Sequence, residues 1–193
     1  MTSFADKPTL HGERVLLRPI VAGDAPCMWA DLADAEAMRL TGTTATFTRE
    51  QIDAWAASRI DQPDRLDLAV VDRETGAWAG EVVVNDLDVD NRSCGFRIAL
   101  RGSARGRGLG SEATRLLVGY VFDIVDEPSI HRIELEVYAF NERAIRTYER
   151  VGFVREGVRR DALRWGDEVT DAIIMSCLRT DPGRPRLRAD ALR

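Results

Sequence analysis

The sequence predicts an α+β domain: a central, mostly antiparallel mixed sheet of about seven strands flanked by about four helices. Three observations carry this. Strand-like runs follow one another between Leu66 and Leu100 at hairpin spacing. An amphipathic helix pattern comes directly after them. Between the two lies the glycine-rich turn Arg105-Gly106-Arg107-Gly108-Leu109-Gly110, and a parallel strand pair around the helix behind it satisfies the element order.

Taken in order, Arg14 to Ile20 reads as a first strand, ended by Pro19 and the Gly23-Asp24 turn. Asp24 can cap a helix with Pro26 in its first turn, running through Trp29 and Leu32. Thr48-Arg49-Glu50-Gln51 is a capping box, with Phe47 and Ile52 as a hydrophobic staple, and opens a second helix to about Ile60. Leu66–Val71 and Trp78–Val84 form a hairpin around Glu74-Thr75-Gly76. An acidic loop with Asp86, Asp88 and Asp90 leads to a strand over Ser93–Leu100. After the glycine turn, positions 109, 113, 116, 117, 120, 121 and 124 make one apolar helical stripe. Ile133, Leu135 and Val137 alternate with Glu134 and Glu136, as a strand does. Asn141 caps a helix carrying Ala144, Ile145, Tyr148 and Val151, which Gly152 stops. Residues 153–158 and 169–178 close the sheet. A single domain over residues 1–180 is expected, with an Arg- and Pro-rich flexible tail over 181–193.

Composition removes several classes of function. The net charge of −5 speaks against general nucleic-acid binding. No apolar run approaches the ~20 residues of a membrane helix, and the N-terminal residues lack a signal-peptide pattern, so a cytoplasmic location is expected. Cys27, Cys94 and Cys177 show neither a disulfide framework nor a metal pattern and read as reduced, packed thiols. With His11 and His131 as the only histidines, neither a His-based triad nor a zinc site is expected.

Alternating glycines at a strand-to-helix junction expose backbone N–H groups beside the positive end of a helix, which suits a diphosphate. The turn is no P-loop, because no Gly-Lys-Ser/Thr follows. It lies past the midpoint of the chain after antiparallel strands, unlike a Rossmann fingerprint. Arg105-Gly106-Arg107-Gly108-Leu109-Gly110 resembles the acyl-CoA pyrophosphate loop of the GNAT N-acetyltransferases, Arg/Gln-x-x-Gly-x-Gly/Ala. The segment Val137-Tyr138-Ala139-Phe140-Asn141, Ala144, Tyr148-Glu149-Arg150-Val151-Gly152-Phe153 and Glu156-Gly157 is similar to the family's next motif, and looks like its RimJ/RimL-type branch, which modifies protein N-terminal amines.

The resemblance, spanning roughly residues 10–180, implies the fold, acetyl-CoA as cofactor and a set of roles. Backbone groups of Ile98, Ala99 and Leu100 would bond the pantetheine arm. Backbone N–H groups from Arg105 through Gly106, Arg107, Gly108, Leu109 and Gly110 to Ser111 would hold the pyrophosphate, with charge from Arg105 and Arg107. Asn141 would contact the pantetheine or thioester region, and Arg146 joins the cofactor contacts. Tyr148 would stand near the sulfur as proton donor; a phenol of pKa ~10 can protonate a thiolate of pKa ~8.5 when it is well placed. The alternative for Tyr148 is a core aromatic.

Many relatives carry a glutamate on the strand before the glycine loop, but Asn91-Arg92-Ser93-Cys94-Gly95-Phe96-Arg97 contains no acid, and Ser93 stands at its place. Glu81 or Asp86 could act instead through water. An α-amine of pKa ~7.8 needs less help to become neutral than a lysine-type amine of pKa ~10.4, which favours a protein N-terminal α-amine as acceptor. Arg97 is either a cleft residue binding a carboxylate on the acceptor or on a larger acyl group, or a surface arginine paired with an acid. Glu134 and Glu136 are expected to pair with arginines such as Arg132. Trp29, Trp55 and Trp165 either shape the acceptor site or pack the core. The expected activity is acetyl-CoA-dependent transfer to a primary amine by direct attack. A polyamine or antibiotic acceptor, a non-catalytic acyl-CoA-binding module and an interaction domain without cofactor are the alternatives. Family members often dimerise, which allows a homodimer.

Overall fold

The computed structural model describes residues 3–193. One sheet of eight strands runs in the order β1-β2-β3-β4-β5-β6-β8-β7. The strands are β1 (Leu10–His11), β2 (Val15–Pro19), β3 (Leu66–Asp72), β4 (Trp78–Asp88), β5 (Ser93–Leu100), β6 (Arg132–Tyr138), β7 (Val154–Trp165) and β8 (Glu168–Leu178). Every neighbouring pair is antiparallel except β5 and β6, which are parallel. The mixed, mostly antiparallel sheet agrees with the expectation. The eighth strand is the two-residue β1, too short to leave a periodic signal.

Five helices flank the sheet: α1 (Ala25–Asp31), α2 (Ala35–Thr41), α3 (Arg49–Ser58), α4 (Leu109–Asp123) and α5 (Glu142–Val151). The capping box at Thr48 is present, with Gln51 Oε1 accepting from the Thr48 N–H at 2.8 Å. Asp24 does not cap α1; its carboxylate accepts from the Val21 N–H and pairs with Arg18 at 2.6 Å. α2 was not anticipated because it buries no residue fully, so it shows no apolar stripe. Its caps were there to be read, since Asp34 accepts from the Ala37 N–H at 3.0 Å and Gly42 ends it in a left-handed conformation.

Each face of the sheet has its own core. Leu68, Val82, Val84, Phe96, Ile133 and Leu135 cluster with α4 and α5. Ala69, Val71 and Trp78 on the opposite face cluster with Ile52 and Ala56 of α3 and with Ala25 of α1. Cys94 and Cys177 are free thiols buried in the core.

What positions the site is the way β5 and β6 meet. They pair only at Ser93↔Arg132, Cys94↔Ile133 and Gly95↔Glu134. Beyond Gly95, β5 stays with β4 as far as Gly80↔Leu100, while β6 stays with β8 as far as Tyr138↔Ala172. A wedge therefore opens between Phe96–Leu100 and Leu135–Tyr138. Each strand presents there an edge of backbone N–H and C=O groups with no ladder partner.

The segment expected to be a flexible tail is instead docked. Arg184 is buried and pairs with Asp123 of α4 at 2.7 Å, and the Leu187 N–H donates to Asp123 at 2.9 Å. Ala191 is fully buried, and its carbonyl accepts from the His11 N–H at 2.7 Å. This explains why α4 is buried beyond its predicted stripe, at Thr114, Val118, Gly119 and Phe122. A side chain at Gly119 would run into the backbone of Arg186 and Leu187. Asp123→Ala strands the buried Arg184 charge. It is expected to cost about 2 kcal/mol, below the range for a fully buried pair because Asp123 is partly exposed. Urea unfolding measures the loss, and faster amide exchange over residues 184–191 marks release of the segment; unchanged exchange there would count against the docking.

Candidate active site

The mouth of the wedge is built by the turn between β5 and α4. Gly106 and Gly108 have φ of 83° and 84°, the left-handed region that side chains avoid. Gly108 precedes α4 with no side-chain cap. The amides of Leu109, Gly110 and Ser111 are thus left without helical partners at the positive end of a 15-residue helix. Gly110 lets α4 sit close on β5, since a Cβ there would lie 3.0 Å from Leu100 Cδ1.

The arginines around this turn divide in a way the sequence did not disclose. Arg105 donates to the Leu100 carbonyl at 2.9 Å and pairs with Asp34 at 2.7 Å and Glu36 at 2.6 Å. Arg107 pairs with Asp72 at 2.6 Å and Glu74 at 3.0 Å. Both guanidiniums, expected to serve an anion, are matched by carboxylates and act as struts for the turn. Arg14 donates to the Arg107 carbonyl at 3.0 Å, and its Nη1 lies 3.0 Å from where a Cβ on Gly108 would stand. Arg146, also expected at the cofactor, is exposed and pairs along its own helix with Glu142 at 2.9 Å. A further cation that faces the turn is Arg143, one helical turn before Arg146: its Nη2 lies 3.0 Å from where a Cβ on Gly106 would stand. Its guanidinium has no hydrogen bond or ion pair among the described residues. The cap at Asn141 was the available signal, because it places Arg143 in the first turn of α5.

Along the wedge, Ile98 and Leu100 pack towards the α4 core, and Ala99 lies on the other face. The Asn141 Oδ1 caps α5 by accepting from the Ala144 N–H at 3.1 Å, leaving its Nδ2 without a protein partner among the described residues. Tyr148 stands on α5 beside the closed end. Its ring meets Phe96 edge-on at 6.2 Å between centroids and tilts against Phe153 at 5.8 Å. Burial pushes its phenol well above the ordinary tyrosine value.

The opposite face carries the remaining candidates. Glu81 on β4 lies opposite Ala99 and Ala69. Its Oε2 is sealed from solvent with no hydrogen-bond partner. Burial raises its pKa, the nearby Arg97 works against that, and Asp67 adds to it. Arg97, on the same strand face as Ala99, is exposed. Ser93 lies at the closed end opposite Arg132. The other acids are engaged elsewhere. Glu134 pairs with Arg132 at 3.1 Å, as expected, and Glu136 with Arg159 at 2.6 Å. Glu156 bonds Arg132 and the Ser176 hydroxyl, which pull its pKa down to about 2. Asp86 is exposed near the end of β4 rather than in a loop; its Oδ2 lies 3.3 Å from where a Cβ on Gly95 would stand and accepts from Asn85 Nδ2 at 2.8 Å. Trp29 is exposed on α1, and Trp165 ends β7 opposite Glu168; neither is among the ring neighbours of Tyr148. Trp55 lies under the Arg59 guanidinium at 4.4 Å. Among the described residues no cluster of His, Cys, Asp or Glu could hold a metal ion, and no helix is long and apolar enough to cross a membrane.

Residues 14–154 match the acetyltransferase (GNAT) domain family. The chain is 26% identical over 178 residues to the uncharacterized N-acetyltransferase p20 of Bacillus licheniformis, across 90% of this chain and 97% of that protein. It is 31% identical over 111 residues to the ribosomal protein bS18-alanine N-acetyltransferase of Salmonella typhimurium, across 58% of this chain and 68% of that one. Its fold superposes on the spermidine N-acetyltransferase of Vibrio cholerae, solved with CoA and spermine, with a TM-score of 0.80 at 20% identity, covering 88% of this chain and 98% of that one. With a split parallel pair, a glycine turn at its mouth and a family match over most of its length, this chain belongs to the GNAT family of acetyltransferases.

Proposed function

We propose that this acetyltransferase acts on a protein N-terminal α-amine, which attacks the acyl group directly in a ternary complex. The observation that carries the reading is the wedge itself. An unpaired backbone edge leads from a turn of free amides to a buried tyrosine, with no carboxylate on β5 along the way. A site without a dedicated strand acid is suited to an amine that is already partly neutral near pH 7, as an α-amine of pKa ~7.8 is. The similarity to the bS18-alanine N-acetyltransferase supports the same acceptor class. The likeness to the spermidine enzyme is one of fold.

Acetyl-CoA fits the residues present and supplies the acyl group as a thioester. The amides of Leu109, Gly110 and Ser111, with the Arg143 guanidinium, hold the diphosphate, and Gly106 and Gly108 keep the approach clear of side chains. The free edge of Ile98, Ala99 and Leu100 bonds the amide-bearing arm as an added strand would. From Leu100 to Phe96 that edge runs about 13 Å at ~3.3 Å per residue, which carries the arm from the mouth to Tyr148. A backbone N–H near Ile98 is the donor for charge that develops on the acyl oxygen. The Tyr148 hydroxyl gives its proton to the departing sulfur; burial disfavours the phenolate and so keeps the phenol protonated until that step. Glu81, in its ionised form, takes the amine proton through water, and its raised pKa makes that carboxylate the stronger base.

Three outcomes test this. Gly108→Val forces a side chain into a left-handed position 3.0 Å from the Arg14 guanidinium. Together with Arg143→Ala it is expected to weaken CoA binding about tenfold or more by calorimetry, whereas Arg146→Ala changes little; equal effects of the two arginines would move the diphosphate elsewhere. Tyr148→Phe is expected to lower kcat by about 10²-fold or more with little change in the KM for acetyl-CoA. An unchanged kcat removes Tyr148 as the acid. For Glu81 the sign is set by its raised pKa. The base works once pH exceeds that raised value, so kcat/KM rises through it, and Glu81→Gln loses this limb and keeps only that of the amine. Protonation is favoured in the folded chain, and stability is lost as pH climbs through the raised pKa. Glu81→Gln is therefore expected to be at least as stable as the wild type at pH 7. A less stable variant with an intact pH profile would make Glu81 structural.

A further inference from the structure

The geometry points to an acceptor amine that carries a carboxylate a few bonds from its nitrogen, held by Arg97 and Arg59. This rests on the acetyl-transfer reading and adds the class of acceptor.

Most arginines near the sheet are matched by acids. Arg18 has Asp24, Arg65 has Asp67, Arg101 has Asp31, and Arg105 and Arg107 have two acids each. Two on or beside the sheet face that carries Glu81 are not. Arg97 stands exposed on β5, its guanidinium without a hydrogen bond or ion pair among the described residues. Arg59, just past α3, rests on the Trp55 ring and donates only to the Trp55 carbonyl at 3.2 Å and the Ser58 hydroxyl at 2.9 Å. Burial lowers the hold of Arg59 on its proton, Asp67 works against that, and Arg65 and then Arg97 add to it, so the two guanidiniums lie within electrostatic reach of each other. Behind them, the Lys7 ammonium bonds only backbone carbonyls, those of Phe4, Gln62 and Arg65.

The acids nearby do not cancel this charge. Asp67 is fully taken up by Arg65 in a two-pronged pair at 2.6 and 2.7 Å. Asp31 is held by Arg101 and the Trp78 indole N–H. Asp64 is exposed and acts on Arg59 only over distance. Glu81 remains, with one oxygen sealed and unpartnered. The register puts Asp67, Val83 and Arg97 in one row across the sheet, and Ala69, Glu81 and Ala99 in the next. Glu81 and Arg97 are thus diagonal neighbours, roughly 7 Å apart at their roots. One offers a site for an amine proton, the other a forked donor matched to a carboxylate. A polyamine would set its second ammonium against two unpaired guanidiniums.

The carboxylate could belong to an acidic residue next to a peptide N-terminus or to a free amino acid. The test uses CoA-saturated protein and calorimetry with an Ala-Glu-headed peptide, the matched Ala-Lys-headed peptide, free glutamate and spermidine, followed by acetylation rates with acetyl-CoA. The acid-bearing peptide is expected to bind about tenfold tighter than the basic one, with spermidine weakest. Arg97→Glu should invert the order and Arg97→Lys should keep part of it, with the fold checked by circular dichroism. Equal binding of the two peptides, binding of neither, or an order that Arg97→Glu leaves unmoved overturns the inference. Glutamate above the acidic peptide identifies a small-molecule source of the same group. Selective binding without any acetylation leaves the inference standing and overturns the acetyl-transfer reading on which it was built.

Discussion

A β-strand edge can serve one partner at a time, and the candidate active site depends on that constraint. β5 holds its ladder to β4 from Gly95 to Leu100 and β6 holds its ladder to β8. The parallel contact between them is confined to three residue pairs. With those outer ladders kept, the two strands diverge under the ordinary twist of a sheet. The divergence creates inside a continuous sheet what normally exists only at its rim: free N–H and C=O groups in a row. Closure of the wedge by further pairing would satisfy those groups and remove the site. Phe96 and Ile98 on one side of the wedge and Leu135 on the other pack into one core with α4 and α5.

The same arrangement decides which charges are available. Fixing a glycine turn at the mouth requires something to hold it, and the chain uses ion pairs. Arg105 ties it to α2 and Arg107 ties it to the end of β3. Positive charge committed to an intramolecular carboxylate is largely unavailable to a ligand, so proximity in sequence to an anion site is a poor guide to which arginine serves it. Arg143 is free because α5 presents it across the gap from a different element, where no acid has been placed opposite. On the sheet face that carries Glu81 the same reasoning separates Arg65, neutralised by Asp67, from Arg97, which is not.

Much of this was legible from the chain. The hairpins, the long helix behind the glycines and the cap at Asn141 all have local signatures, and they sufficed for the sheet and the family resemblance. What was not legible had non-local causes. α2 forms without a buried face, held by its caps and by the pairing of Asp34 and Glu36 with Arg105. The C-terminal residues look like a tail because Arg and Pro dominate them, yet Asp123 and a glycine on the far side of α4 make a seat for them. The partners of each arginine follow from strand register, and register is invisible until the sheet is assembled.

The missing acid on β5 is best understood in those terms. A carboxylate at Ser93 would lie at the closed end of the wedge, opposite Arg132, whose guanidinium already bridges Glu134 and Glu156. It would join a saturated ion-pair network and be held low in pKa, as Glu156 is. Such a group is a weak base. Glu81 is placed across the β4–β5 ladder in a low-dielectric setting where its charged form is disfavoured, and a carboxylate so raised binds a proton more readily. On the proposed assignment of Glu81 as the base, the desolvation that makes it destabilising to the fold is also what strengthens it as a proton acceptor. An orphaned oxygen is tolerable at that position if water or an amine completes it.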